Sequence, residues 1–372
     1  MANKPKQMKQ RYIILINMIV ILAIGVLVFY IARSVHSAHA TRLLSLRSPI
    51  SYLAEYKVIE TSTLEELWAI SNVFATQRYG NGLIATNGSL YIIGNLSGQR
   101  LAFLNRLDLA TGQQVWEVSD EIEASPVSTF NSNYIFIGAG ARGRVTAYEL
   151  ESGNIAWKKS LSLTRTRHIF YMSAVGSDLY VNRSGSTGFN ILDIKNGRIQ
   201  ERGYTRGVFP IFFATGDIIY HGRFGEFLVA SNKVTNDILW EVEFEKEIVQ
   251  APLFIDDIVL VRTDKSGFLG EVFAIDLATG KILWSSPRNI VSNVTAANNV
   301  AYYLTEDSHL IAVDILTGEM VGSVEFSPKI TALEPIDQVN EDFSVAAYDE
   351  IVVVYFGSGS QLFAFRFLGS SE

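Results

Sequence analysis

A chain of 372 residues with 48% apolar side chains is long enough for one large core or two ordinary ones and too apolar to stay disordered. A net charge of −7 excludes general nucleic-acid binding, and the absence of cysteine excludes disulfides, thiolate metal sites, iron–sulfur clusters and cysteine nucleophiles. Only 8 Pro stand against 28 Gly, 22 Phe and 16 Tyr, a composition that favours strands.

Residues 1–11 form a basic tail carrying Lys4, Lys6, Lys9 and Arg11. From Tyr12 to Ala32 the chain is apolar apart from Asn17, and this length suits a helix crossing a hydrocarbon core of about 30 Å. The flanking charges predict a cytoplasmic N-terminus, with the remainder periplasmic or extracellular. Ala38-His39-Ala40 has the form of a signal-peptidase site, but the apolar run is longer than an ordinary signal h-region, which favours an uncleaved anchor. Residues 33–63 read as a juxtamembrane stalk.

Beyond residue 63 a unit repeats. It reads LNRLDLATGQQVW up to Trp116, VTAYELESGNIAW up to Trp157 and EVFAIDLATGKILW up to Trp284. Weaker copies surround Gly197, Asn236 (ending at Trp240) and Gly318. The turn positions 112, 153, 197, 236, 280 and 318 recur about every 41 residues, the period of four-stranded propeller blades. The ends give the count. Three strands follow Lys329 with no fourth, whereas Glu65–Ile70, containing Trp68, reads as a fourth strand with no three before it. Pairing the two pieces completes a seventh blade and removes two open edges. The expected fold is therefore an all-β, seven-bladed β-propeller over residues 64–368, closed by an N-terminal strand and preceded by one transmembrane helix.

The units resemble the pyrroloquinoline-quinone-type propeller repeat, approximately A-x-D-x-x-T-G-x-x-x-W. Ala274, Asp276, Thr279, Gly280 and Trp284 match it best, followed by Asp108, Thr111, Gly112 and Trp116. Within that family the chain is most similar to non-enzymatic members, such as the propeller lipoproteins of outer-membrane β-barrel assembly. It departs from them in lacking a lipobox cysteine and in reading as seven blades rather than eight. The resemblance implies a scaffold with no catalytic residues, cofactor or metal. The family's dehydrogenases are longer and mostly eight-bladed, and usually carry a vicinal cysteine pair that is absent here. A quinone-dependent or other enzyme with its site at the channel mouth is one alternative; the sensory part of a signalling assembly is another.

Several motifs have structural readings. The tryptophans Trp68, Trp116, Trp157, Trp240 and Trp284 fall at one strand position, as expected of side chains that dock adjacent blades. The Asp preceding Thr-Gly suits an Asx-type turn. Gly138–Gly143 fits G-x-G-x-x-G, but a repeat strand follows instead of the helix that would hold a pyrophosphate. Four N-x-S/T sequons begin at Asn87, Asn95, Asn182 and Asn293.

One pattern points to a binding surface. In an up-and-down blade, the connections from strand four to strand one and from strand two to strand three open on the same face. That face receives Arg142, Arg144, Arg165, Arg167, His168, Arg206 and Arg223, whereas the opposite face collects turn acids such as Asp108, Asp193, Asp276 and Asp314. An Arg-rich face on an acidic chain is suited to a protein partner or an acidic ligand, through focused potential and bidentate guanidinium contacts.

Overall fold

The computed structural model describes residues 56–71, 73–75, 82–95, 102–122, 127–139, 143–161, 169–183, 188–204, 211–223, 225–264, 270–286, 290–328, 343–357 and 360–369. The chain divides into two units, Met1–Tyr52 and Leu53–Glu372. The first, with the span expected over residues 12–32, lies outside the described residues. Among the described residues no helix is long and apolar enough to cross a membrane.

Short apolar runs alternate with turn residues, and the strands are set by that punctuation. Between Leu83–Thr86 and Ser89–Asn95, Asn87 and Gly88 take φ of 50° and 67°. Two consecutive positive φ angles match the twist of a tight hairpin, and Asn-Gly is the pair that adopts them most readily.

The described strands form seven antiparallel sheets. Blade one comprises Leu83–Thr86, Ser89–Asn95, Ala102–Asp108 and Gln114–Ile122, with Phe74–Ala75 also on its second strand. Blade two is Val127–Phe130, Tyr134–Ala139, Arg144–Glu149 and Ile155–Ser160; blade three is Ile169–Val175, Asp178–Arg183, Gly188–Asp193 and Ile199–Tyr204. Blade four is Ile211–Thr215, Ile218–Arg223, Phe227–Asn232 and Ile238–Glu243. Blade five is Leu253–Ile255, Ile258–Asp264, Glu271–Asp276 and Ile282–Ser285, with Glu247–Ile248 beside its second strand. Blade six runs Thr295–Ala297, Val300–Leu304, His309–Asp314 and Met320–Ser327. Blade seven takes Phe343–Tyr348, Ile351–Phe356 and Gln361–Phe367 from the C-terminal end and Leu64–Ser71 from the N-terminal one.

Ring closure follows the sequence expectation. Leu64 pairs with Phe367 and Ser71 with Gln361, so the Trp68 strand becomes the outer strand of blade seven. The stalk expected over residues 33–63 is corrected at its C-terminal end. Lys57–Ser62 is a fifth strand on the outer edge of blade six, Lys57 opposite Ser327 and Ser62 opposite Ser323. Tyr56 is buried in the core shared by blades six and seven, stacked on Phe356 at 4.1 Å. Its backbone N–H donates to Gln361 Oε1 at 2.8 Å, and Gln361 Nε2 donates back to the Tyr56 carbonyl at 3.4 Å. The propeller therefore includes residues 56–62 and is closed across two adjacent blades.

Most of the core lies between blades. Six apolar clusters each join side chains of neighbouring blades: seven with one, one with two, two with three, four with five, five with six, and six with seven. The second strands are the most buried; every residue of Val300–Leu304 is buried. Outer strands are exposed except where a side chain turns into a seam, as Trp157 does within Ile155–Ser160.

Candidate functional site

The repeat motif builds the two rims of the ring differently. At the rim formed by the third-to-fourth-strand turns, Asp108 Oδ1 accepts hydrogen bonds from the Thr111 N–H at 2.8 Å and its hydroxyl at 2.7 Å. Asp276 does the same with Thr279, at 2.8 and 2.6 Å, and Asp314 with Thr317, at 2.8 and 3.1 Å. Bonds from the Thr279 hydroxyl and N–H hold the Asp276 carboxyl below its ordinary range. These acids serve as turn acceptors and form no metal cage; among the described residues no three His, Asp or Glu side chains converge for a cation.

The tryptophans latch each blade to the next. Trp68 Nε1 donates to the Leu109 carbonyl at 3.0 Å, Trp116 to Glu151 at 3.0 Å, Trp157 to Ile194 at 2.8 Å, Trp240 to Leu277 at 3.1 Å and Trp284 to Ile315 at 2.7 Å. Each indole also covers the turn glycine of the blade it reaches: Gly112, Gly153, Gly197, Gly280 and Gly318 respectively. Those glycines have φ between 66° and 74°, and a Cβ there would lie 2.5–3.0 Å from the indole. Glycine is thus required both for the left-handed turn and for the close approach of the ring.

The opposite rim is the one to which the sequence assigned the binding candidates. Register brings its strand ends together: Ala139, Arg144 and Ser160 align across blade two, Ile169 with Arg183 in blade three, and Arg223, Phe227 and Glu243 in blade four. The connections at residues 140–143, 162–168 and 205–210 leave from this end. Arg144 is half-buried at the start of its strand, and Arg223 ends the second strand of blade four. Arg142, Arg165, Arg167, His168 and Arg206 lie outside the described residues.

Three features at this end are not legible as motifs. The Arg262 guanidinium is buried in blade five, with Nη2 3.3 Å from Asp264 Oδ2 and 3.5 Å from the Ile290 carbonyl. Burial pulls its pKa below the usual arginine value, and the Asp264 charge opposes that pull. Lys246 lies 3.4 Å from Glu271, and His309 Nδ1 lies 3.3 Å from Asp307. In blades five and six, then, described bases at this rim are matched by neighbouring acids. The same rim receives the incoming chain, since Lys57 aligns with Ser327 and Tyr56 bonds to Gln361. Two sequons fall inside the fold: Asn182 is 2% exposed, and Asn293 Oδ1 accepts from the Val345 N–H at 2.8 Å.

Seven four-stranded blades, three with Asp-x-x-Thr-Gly turns and five with a docked tryptophan, define a pyrroloquinoline-quinone-like β-propeller. The family model described as outer membrane protein assembly factor BamB matches residues 102–208 and 203–370, well over half the chain, and the chain belongs to that family. The outer membrane protein assembly factor BamB of Burkholderia pseudomallei (strain K96243) is 25% identical over 282 residues, spanning 72% of this chain and 70% of the relative. A 56-residue stretch is 38% identical to the BamB of Francisella salina, covering 15% of this chain and 11% of that protein. Among solved structures, BamB from Moraxella catarrhalis aligns with 82% of this chain and 100% of its own, at 12% identity and a TM-score of 0.46. The computationally designed Ika8 protein aligns over 81% and 99%, at 15% identity and a TM-score of 0.50, a likeness of fold alone.

Proposed function

We propose that this chain is a membrane-tethered, extracytoplasmic scaffold that serves outer-membrane protein assembly by holding a protein partner, without itself catalysing a reaction. Membership of the BamB family carries this reading. A closed ring with many independent loops suits the role, because its core tolerates variation in what the loops present.

The rim holding Arg142, Arg144, Arg165, Arg167, His168, Arg206 and Arg223 is the docking surface in this proposal, and its partner is an acidic protein segment. Two observations support the choice. Acids on the other rim are engaged in their own turns, through Asp108, Asp276 and Asp314. Strand ends next to the arginine-bearing connections align at one end of their blades. Residues 12–32 supply the tether in this reading, and the part of the expected 33–63 stalk that precedes Tyr56 links it to the ring.

Crosslinking in native membranes, followed by mass spectrometry, tests the scaffold role by identifying what the rim touches. Reversing the charge of Arg142, Arg144, Arg165 and Arg167 together is expected to remove that partner. Retention of every crosslink would rule out the basic rim. A thermal shift on adding pyrroloquinoline quinone and calcium would favour a cofactor-dependent enzyme instead.

A further inference from the structure

The seams of the ring are not equivalent. By register, the tryptophan position of the outer strand faces Ala147 in blade two (Trp157), Ala230 in blade four (Trp240) and Ala274 in blade five (Trp284). In blade three the same position, opposite Ile191, is Glu201, and in blade six, opposite Ala312, it is Gly322.

At blade six the loss is compensated. A Cβ on Gly322 would meet Thr63 Oγ1, the Ser62 carbonyl and Leu64, so the glycine makes room for the crossover between the two N-terminal strands. Thr63 takes a φ of 58°, and its hydroxyl donates to the Val321 carbonyl at 2.7 Å. The added strand Lys57–Ser62 and the buried Tyr56 reinforce the same seam.

Nothing comparable replaces the indole at blade three among the described residues. Glu201 is exposed, and the turn it would have reached ends in Asn236, with a φ of 62°, where the latched turns have glycine. The two changes belong together: without an indole pressing on the turn, a Cβ is tolerated, and asparagine accepts the left-handed conformation.

Among the described residues the interior of this seam is also more polar. Tyr220 packs on Trp240 and on Phe254 of blade five. Strand alternation therefore turns Ile219 and His221 towards blade three. Leu179, Val181 and Leu192 pack towards blade two, which turns Tyr180, Asn182 and Ile191 towards blade four. Among the described side chains, the cluster here joins Tyr180 and Ile191 with Val175 and Phe189, all from blade three. Blade four contributes the polar pair His221 and Ser231, both buried and bonded at 2.8 Å. Asn182 Oδ1, also buried, has no hydrogen-bond partner. Tyr171, of blade three, is a half-buried side chain that does reach the cluster of blades four and five.

We propose that the seam between blades three and four is the built-in joint of the ring, where the two blades part while the other seams stay closed. In sequence, residues 205–210 connect blade three to blade four, and they include Arg206. Opening the seam changes the spacing between basic positions on its two sides, so the ring can widen to fit a partner. That last consequence rests on the rim reading; the joint itself does not.

The absence of cysteine makes a direct test possible, because a single introduced thiol is the only one in the protein. Ile191→Cys reports on this seam and Ala274→Cys, at the equivalent position, on the seam between blades five and six. In the full-length protein, maleimide is expected to modify the first about tenfold faster than the second, because segments of one fold open locally with different free energies. Adding E201W together with N236G installs the missing latch and is expected to slow modification of Cys at 191 by about tenfold, whereas E201W alone, blocked by the Asn236 Cβ, is not. Equal modification rates at the two positions would overturn the proposal, as would a double variant that leaves the rate unchanged. Hydrogen exchange of the unsubstituted chain guards against misfolding of the variants. Blades three and four should exchange first, and uniform exchange around the ring would also overturn the joint.

Discussion

Trp157 lies so close over Gly197 that a Cβ on the glycine would sit 2.5 Å from the indole Cε3, and the same indole donates to the Ile194 carbonyl three residues earlier. One side chain therefore reads both the shape and the hydrogen-bonding capacity of the next blade's turn.

Gly197→Ala tests this relationship. The substitution combines left-handed strain with overpacking and is expected to destabilise the propeller by about 2–4 kcal/mol in urea unfolding. Gly176→Ala is the control. Its φ is 57° and nothing lies within 4 Å of the added methyl, so it should cost only about 1 kcal/mol. Equal costs at the two positions would show that the indole contact contributes nothing.

Tyr56 separates a stalk from a structural element. Its ring is 2% exposed between blades six and seven, so Tyr56→Ala should cost about 3–5 kcal/mol by the cavity it leaves. A melting temperature that does not move would return residue 56 to the tether.

The Arg262–Asp264 pair predicts an asymmetry. Asp264→Ala strands a buried guanidinium and is expected to cost about 3–5 kcal/mol, whereas replacing both residues by apolar ones of similar volume should be close to neutral. Chemical denaturation of the single and double variants measures this directly. A double variant as damaged as the single would show that the charges do more than satisfy each other.

Acid stability should respond to Thr279. Hydrogen bonds from Thr279 depress the Asp276 carboxyl in the folded state. Their stabilising effect is therefore present above the unfolded carboxylate pKa and is lost as pH falls through the lower, folded one. Thr279→Val is expected to raise the Asp276 pKa towards its ordinary value, read by carbon-detected carboxyl titration, and to flatten the acid limb of the stability profile. An unchanged titration would transfer the effect to the backbone N–H groups alone.

The fold was legible because its determinants are local and repeated. Asp108, Gly112 and Trp116 recur as Asp276, Gly280 and Trp284 in the same geometry, and Leu64–Ser71 could be matched to the C-terminal strands by what each piece lacked. Lys57–Ser62 was hidden because KVIETS belongs to no repeat and its partner, Met320–Ser327, already had a neighbour on its other side. Arg262 was hidden because a charge within an apolar strand has no sequence signature until burial and a counter-charge are seen. The binding candidates were legible only as charge by connection. Arginines in loops have no period, and register fixes the end of the blade they leave from rather than what they touch.

Closure across blades six and seven also has a temporal side. Tyr56 meets a residue 305 positions later, so the first strands made must wait for nearly the whole chain. At ribosomal rates of about 5–20 residues per second, that delay is on the order of 15–60 s. Throughout it, the edge of Leu64–Ser71 and the apolar face of Tyr56 have no native partner. A nascent chain of this design therefore keeps an unpaired strand edge exposed for that whole interval, the form most open to pairing with the wrong strand.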